Sequence, residues 1–319
     1  MQYQIFIAKI VNPCRTYQNE IPSPGDQVFF VIDFQARQRM GQNKMTRTNP
    51  AFHRLEVLTG ADGLSRLQNT RVIVFGIGGV GSWCAEALVR SGIGTIVLVD
   101  SDVICVTNIN RQLQATSASV GKSKVAELAV RLSLINPDAT VLPVQKIYHR
   151  STADQFDLGS FPYVVDAIDS ISNKVDLIIA ARQAGAKVFS ALGASNKLDP
   201  LQIRVSSLWD SQGCPLGRYL RKRLRRKGFA GEVTCVYSEE NLPLMKADLR
   251  CGKTDCLCPP KAAEGQSGDA LHAHEWCSSK KQINGSAVHI TGTFGFYLAG
   301  LVIQDVLSQP PVAAKPSEG

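Results

Sequence analysis

The stretch from Arg71 to Asp100 constrains the fold of this chain more than any other. It reads RVIVFGIGGVGSWCAEALVRSGIGTIVLVD: an apolar run, four glycines within six residues, a helical run, and a second apolar run closed by an acid. A short β-branched run with no polar interruption is what a parallel strand, covered on both faces, requires. Gly92 stands where the intervening helix has to stop. Gly76, Gly78 and Gly81 satisfy G-x-G-x-x-G between strand and helix, with Gly79 inside the same turn. In such a turn the first glycine permits the tight bend, the second lets backbone approach a phosphate, and the third lets helix pack on strand. The free N–H groups and partial positive charge of the helix N-terminus then face the phosphates. Asp100, closing the second strand, is a candidate acceptor for ribose hydroxyls. Taken alone, the turn is also a dinucleotide fingerprint, so a redox or sensor module that binds NAD stays open at this point.

The alternation continues downstream. GKSKVAELAVRLSLINP predicts an amphipathic helix, TVLPVQKI and YVVDAID further strands, and NKVDLIIAARQAG with KVFSAL another helix–strand unit. Alternation of this kind predicts an α/β fold, a doubly wound, mostly parallel Rossmann-like sheet. After Pro200 the character changes, and LQIRVSSLW predicts a C-terminal antiparallel extension with helices. The expected organisation is an N-terminal extension over residues 1–44, a nucleotide-binding Rossmann-like domain over 45–200, a C-terminal section over 201–307 with a flexible loop at 242–281, and a tail over 308–319. The extension lacks periodicity, and an initiation codon chosen too far upstream is one reading of it.

The residues after Asp100 bear on which nucleotide is bound. VDSDVICVTNINRQ places Asn108, Asn110, Arg111 and Gln112 there, and VGKSK adds Lys122 and Lys124. Hydride transfer needs no such cations. Cleavage of ATP between its α- and β-phosphates does, because departing pyrophosphate gathers negative charge. DAIDS puts Asp166 and Asp169 at a strand end, where a carboxylate could hold Mg²⁺ against the phosphates.

This ordered set resembles the ubiquitin-activating-enzyme-like adenylyltransferases, which include the molybdopterin-synthase and thiamine-pathway activators. GIGGVGSW, VTNINRQ, DAIDS followed by Lys174, and the late TGTFGF are most similar to the dehydratase branch acting on threonylcarbamoyl-adenosine in tRNA. The resemblance implies ATP and Mg²⁺ as cofactors and tRNA as partner. It implies Asp100 on the ribose, Arg111 and Lys124 on phosphates, Asp169 on Mg²⁺, and Asn110 and Gln112 positioning the nucleotide. Arg54, in NPAFHRLEVLTG, matches an N-terminal segment that reaches a neighbouring subunit's ATP in such relatives, which implies a homodimer. Cys235 matches a cysteine of the dehydratases and is a candidate nucleophile, or else a small buried residue at a strand start. A relative that activates the C-terminus of a ubiquitin-like sulfur carrier is the alternative, with a sulfur-relay or sulfur-acceptor protein as partner. Such relatives often carry two CxxC pairs. This chain has none, only Cys251, Cys256, Cys258 and Cys277 in irregular spacing that suits either zinc or free thiols.

Composition adds a polyanion and a compartment. The formal charge is +8 over 319 residues, and RYLRKRLRRK holds seven cations in ten positions: Arg218, Arg221, Lys222, Arg223, Arg225, Arg226 and Lys227. With Leu220 and Leu224 facing inward, such a helix fits contact with a phosphate backbone. Nine scattered cysteines do not make a disulfide scaffold, so a reducing, cytoplasmic setting is expected. No secretory signal pattern is visible, and the apolar run Ile290–Leu307 has three glycines and falls short of the roughly 20 residues of a membrane span. It predicts a buried helix rather than membrane association.

Overall fold

Runs rich in valine, isoleucine and leucine recur along the chain, and each becomes a strand. A computed structural model describes residues 49–240, 242 and 284–309. The strands are β1 (Arg71–Phe75), β2 (Thr95–Val99), β3 (Thr140–Val144), β4 (Tyr163–Asp166), β5 (Lys187–Ala191), β6 (Ile203–Ser207) and β7 (Thr234–Ser238). They form one sheet in the order β3-β2-β1-β4-β5-β7-β6. All neighbours run parallel except β6 and β7. Ile73 of β1 sits between Val97 of β2 and Val164 of β4. The expected doubly wound sheet with an antiparallel end is therefore what forms.

Helices cover both faces, which is why the central strands carry apolar residues at every position. α1 (His53–Gln68), α2 (Gly81–Arg90), α3 (Lys124–Ile135) and α6 (Val288–Ser308) lie on one face, α4 (Ile171–Gln183) and α5 (Pro215–Arg226) on the other. Val72 and Val74 point into the first core, Ile73 and Phe75 into the second. Each face buries one member of every alternate pair, as the pleat dictates.

The sheet continues across Pro200, where the sequence reading divided the chain. β7 pairs with β5 through Phe189–Thr234, Ser190–Cys235 and Ala191–Val236. A parallel partner for β5 had to come from somewhere, and the segment after α5 supplies it. The residues 1–44, the Cys251–Cys277 loop and the chain beyond Gln309 lie outside the described residues.

The apolar run at 290–307 becomes α6, packed along α2. By length and composition it could cross a membrane, but half of its most apolar window is buried inside the fold. Close approach is set by Gly295, where a Cβ would lie 2.6 Å from the Val80 carbonyl oxygen and 2.8 Å from the Cys84 nitrogen. Trp83 then meets Phe296 with ring centroids 6.0 Å apart. Gly300, one turn on, has nothing within 4 Å of its Cβ position. Gly295→Ala is therefore expected to lower unfolding free energy by about 1–3 kcal/mol through overpacking. Gly300→Ala should leave it unchanged or raise it by up to about 1 kcal/mol through helix propensity. Urea titration of the two variants checks the pair, and equal effects would contradict this packing.

Candidate active site

The strand order reverses between β1 and β4, and in open α/β sheets the crevice at that reversal, beyond the carboxyl ends of the strands, is where ligands bind. β1 runs directly into the glycine turn. Gly76 has φ of +87°, and a Cβ on it would lie 2.6 Å from the Ala167 carbonyl oxygen. A Cβ on Gly81 would lie 1.9 Å from the Gly76 carbonyl oxygen, and on Gly79 it would meet Thr291 of α6 at 3.1 Å. Gly76 and Gly81 thus serve the chain's own backbone, and Gly79 the docking of α6. Gly78 differs, because its Cβ position has only the Gln112 amide nitrogen nearby, at 3.9 Å. Packing does not demand glycine there, whereas close approach of a phosphate to the backbone does. α2 begins beside it with no side-chain cap, leaving helix N–H groups for an anion.

Asp100 closes the turn from the β2 side. Its carboxylate accepts the N–H of Ile77 at 2.7 Å and of Asp102 at 2.9 Å, each on a different oxygen. Each oxygen keeps a further lone pair for a hydroxyl. Lys124, at the start of α3, does not stand in the open. Its ammonium is 2.6 Å from Asp102 and 3.8 Å from Asp100 and is buried. Burial disfavours that charge, but the two carboxylates outweigh it and raise the Lys124 pKa. Lys122, by contrast, is exposed and pairs with Glu127 at 3.4 Å.

Arg111 is placed by Trp83, whose indole N–H donates to the Arg111 carbonyl at 3.0 Å. Its guanidinium donates to the Thr107 carbonyl at 2.7 Å and the Asn110 side-chain oxygen at 3.0 Å. Burial lowers the Arg111 pKa, with Cys105 and Asp169 working in the opposite sense. Asn110 donates in turn to the Ser286 carbonyl at 2.8 Å, tying this loop to the entry of α6. Gln112 is buried, and its amide oxygen has no hydrogen-bond partner among the described residues. Asp169 stands exposed at the rim after β4, and its charge acts on both Arg111 and Lys124. An unpartnered amide oxygen, a side-chain-free turn and two cations facing one carboxylate fit a nucleotide triphosphate. Among the described residues no three potential ligands cluster as a metal cage.

Two expectations need correction. Asp166, which the sequence put beside Asp169 as a metal carboxylate, is fully buried and paired with Lys174 at 2.7 Å. Ser190 donates to the same carboxylate oxygen at 2.7 Å, and Lys174 also donates to the Ala191 carbonyl at 2.9 Å. As the last residue of β4, Asp166 points into the core between sheet and α4, and only Asp169 reaches the rim. Cys235, the candidate nucleophile, is the second residue of β7 and fully buried. Burial pushes its thiol up to about 12, so it is neither a thiolate nor accessible. Arg54 is exposed on the first turn of α1, with no hydrogen-bond or ion-pair partner among the described residues, and does not join the cluster within its own chain.

The basic run also divides. Arg221 is half-buried and donates to the carbonyls of Leu208 and Ser211 and to the Ser211 hydroxyl. Arg223 donates to Ser172 at 2.8 Å, and Lys227 pairs with Asp176 at 2.6 Å, both on α4. These three fasten α5 to the fold, Arg223 and Lys227 while remaining exposed. Arg218, Lys222, Arg225 and Arg226 remain exposed. The sequence reading also missed Trp83, Asp102, Gln114 and Ser190, of which Gln114 supports the turn by donating to the Ile77 carbonyl at 2.8 Å.

Two expectations follow. Lys174→Met leaves a buried carboxylate unpaired and should cost about 3–5 kcal/mol, with Asp166→Asn in the same chain recovering part of it. Denaturant midpoints of the single and double variants check this, and no recovery would contradict the pairing. Alkylation mapped by peptide mass spectrometry should modify Cys105 in the native protein and Cys235 only after unfolding. Native labelling of Cys235 would contradict its burial.

The match to known proteins agrees with this geometry. Residues 52–245 match the model of the ThiF family. The chain is 36% identical over 261 residues to tRNA threonylcarbamoyladenosine dehydratase of Escherichia coli, covering 79% of this chain and 91% of that protein. It is 35% identical over 254 residues to the protein of the same name from Haemophilus influenzae, covering 78% and 90%. The crystal structure of the E. coli protein in complex with ATP superimposes with a TM-score of 0.64 at 32% identity, over 81% of this chain and 94% of that one. With the glycine turn and this similarity in hand, the chain belongs to the ThiF family and, within it, to the tRNA threonylcarbamoyladenosine dehydratases.

Proposed function

We propose that this protein uses ATP to dehydrate threonylcarbamoyl-adenosine in tRNA through an acyl-adenylate. The observation that carries the reading is a turn whose Gly78 leaves the backbone open at the start of α2, with the Asp100 carboxylate on the Ile77 N–H beside it. A carboxylate is a poor electrophile because its leaving group would be oxide. Attack by a carboxylate oxygen on the α-phosphorus of ATP forms the acyl–O–P bond and expels pyrophosphate. Arg111 and Lys124 stabilise the charge that builds on the phosphates. The carbamoyl nitrogen, held a few ångströms away, then attacks the acyl carbon with an intramolecular advantage. It loses its proton, and AMP departs with the oxygen that was the carboxylate's, so the net change is loss of water.

In this reading the N-terminus of α2 and the turn at Gly76–Gly81 receive phosphates, Asp100 the ribose hydroxyls, and Asn110 and Gln112 hold the nucleotide in place. Mg²⁺, when bound, is held by Asp169 and offsets phosphate charge. Arg54 has no hydrogen-bond or ion-pair partner among the described residues, and Val57, Leu58, Val288, Phe296 and Tyr297 expose apolar surface on α1 and α6. Both features support a homodimer in which Arg54 serves the partner's nucleotide.

The direct test is nucleoside mass spectrometry on tRNA incubated with the protein and ATP. The expected product is threonylcarbamoyl-adenosine lighter by one water, formed only when ATP is present. Arg111→Ala and Lys124→Ala should each lower turnover about 100- to 1000-fold, the scale of losing one preorganised charge-stabilising donor. ATP, and not NAD, should raise the melting temperature. Stabilisation by NAD alone, or near-normal turnover in both variants, would overturn this assignment of the site.

A further inference from the structure

We infer that the outward face of α5 is a rail for an RNA backbone that ends at the rim of the adenylation site. The inference rests on the reading of tRNA as the carrier of the substrate. Its starting point is the direction of the helix. Arg223 touches Ser172 and Lys227 touches Asp176, so an advance of four residues on α5 matches an advance of four on α4. The two helices therefore run side by side in the same direction. α4 begins at Ile171, directly after Asp169 and Ser170, so the part of α5 preceding Arg223 extends past that start. Arg218 lies about 7.5 Å further along the axis at 1.5 Å per residue. A second contact fixes the same end. A Cβ on Gly217 would lie 2.8 Å from the Leu192 side chain, and Leu192 follows the last residue of β5. The N-terminus of α5 thus sits at the carboxyl edge of the strands, the edge that carries the site.

Along this direction Arg226, Lys222 and Arg218 follow one another at four-residue spacing, one stripe pointing at the rim. All three are exposed, α5 contains no acidic residue, and among the described residues no carboxylate pairs with them. Arg225 lies over the Trp209 ring at 5.4 Å and Arg218 over Tyr219 at 5.4 Å, with Tyr219 half exposed. Cations interleaved with ring and guanidinium planes match a nucleic acid, which presents phosphates for the charges and bases for the planes. An acidic protein surface would use the charges but not the planes. The cations of the run therefore have two jobs: Arg221, Arg223 and Lys227 hold the helix in place, while Arg218, Lys222, Arg225 and Arg226 meet the RNA.

The test is tRNA binding by the full chain at salt concentrations from 50 to 200 mM, with two variants. Arg218→Gln, Lys222→Gln and Arg226→Gln together should lower the slope of log affinity against log salt by about 2–3, at roughly 0.7–0.9 per lost phosphate contact. The affinity lost across that salt range should shrink roughly 20- to 40-fold, and KM for tRNA should rise more than kcat falls. Arg223→Gln with Lys227→Gln should instead lower the melting temperature and keep the wild-type slope. An unchanged slope in the triple variant overturns the inference and leaves an acidic protein as the occupant of this face. If the triple variant loses its slope while the wild type yields no dehydrated nucleoside, the rail stands and the functional reading falls. If the wild type dehydrates tRNA and the triple variant does so with unchanged slope and KM, the rail alone falls.

Discussion

The structure hangs on one close approach: the end of β1 against the loop that leaves β4. Ala167 N–H donates to the Phe75 carbonyl at 2.8 Å, Gly76 comes so near Ala167 that no side chain fits, and Gly81 lies against Gly76 in turn. This places the first turn of α2 and the Asp169 loop on opposite walls of one crevice. A methyl group at Gly76 or Gly81 would have to push one of those walls away. The crevice exists because two backbones meet, and every charged group of the site takes its position from them.

Around it the charges are arranged at some energetic cost. Lys124 is buried against Asp102 and Asp100, and Lys174 against Asp166, with every polar contact of Lys174 on the ends of β4 and β5. Buried ion pairs contribute little net stability against apolar replacements, so their presence here is better explained by placement than by strength. Lys174 ties the two strand ends between which the Asp169 loop departs. Asp102 holds the Lys124 ammonium at 2.6 Å at the start of α3, beside Asp100 at the end of β2. The two pairs flank the crevice, one on each side of β1.

Much of the fold was legible in the sequence because burial on both faces leaves an unmistakable mark: RVIVF, TIVLV and YVVD have no polar face to show. The glycine turn and the cluster after Asp100 were legible because close backbone approach and phosphate charge each demand particular residue types. The site residues that were misjudged share a cause, namely that their surroundings come from distant segments. Asp166 and Asp169 look alike at a strand end. Only Ser190 on β5 and Lys174 on α4 show that one faces the core. Cys235 reads as a candidate nucleophile until β7 is seen between β5 and β6. Arg221 carries a signal that was present: it lies four residues after Gly217 and three before Leu224, both buried, and so borders the inward face of α5. The pairing of β7 with β5 across the change of character at Pro200 leaves no trace between them in sequence.

The account stands on carboxylate activation by adenylation, and one isotope experiment addresses that step directly. tRNA whose threonylcarbamoyl carboxylate carries heavy oxygen would be turned over with unlabelled ATP, and the nucleotide and phosphate products analysed by mass spectrometry. The account predicts one heavy oxygen in AMP, none in pyrophosphate, and a cyclic product that has lost one labelled oxygen. Label in inorganic phosphate with ADP as the nucleotide product, or label released as water with AMP unlabelled, would contradict it.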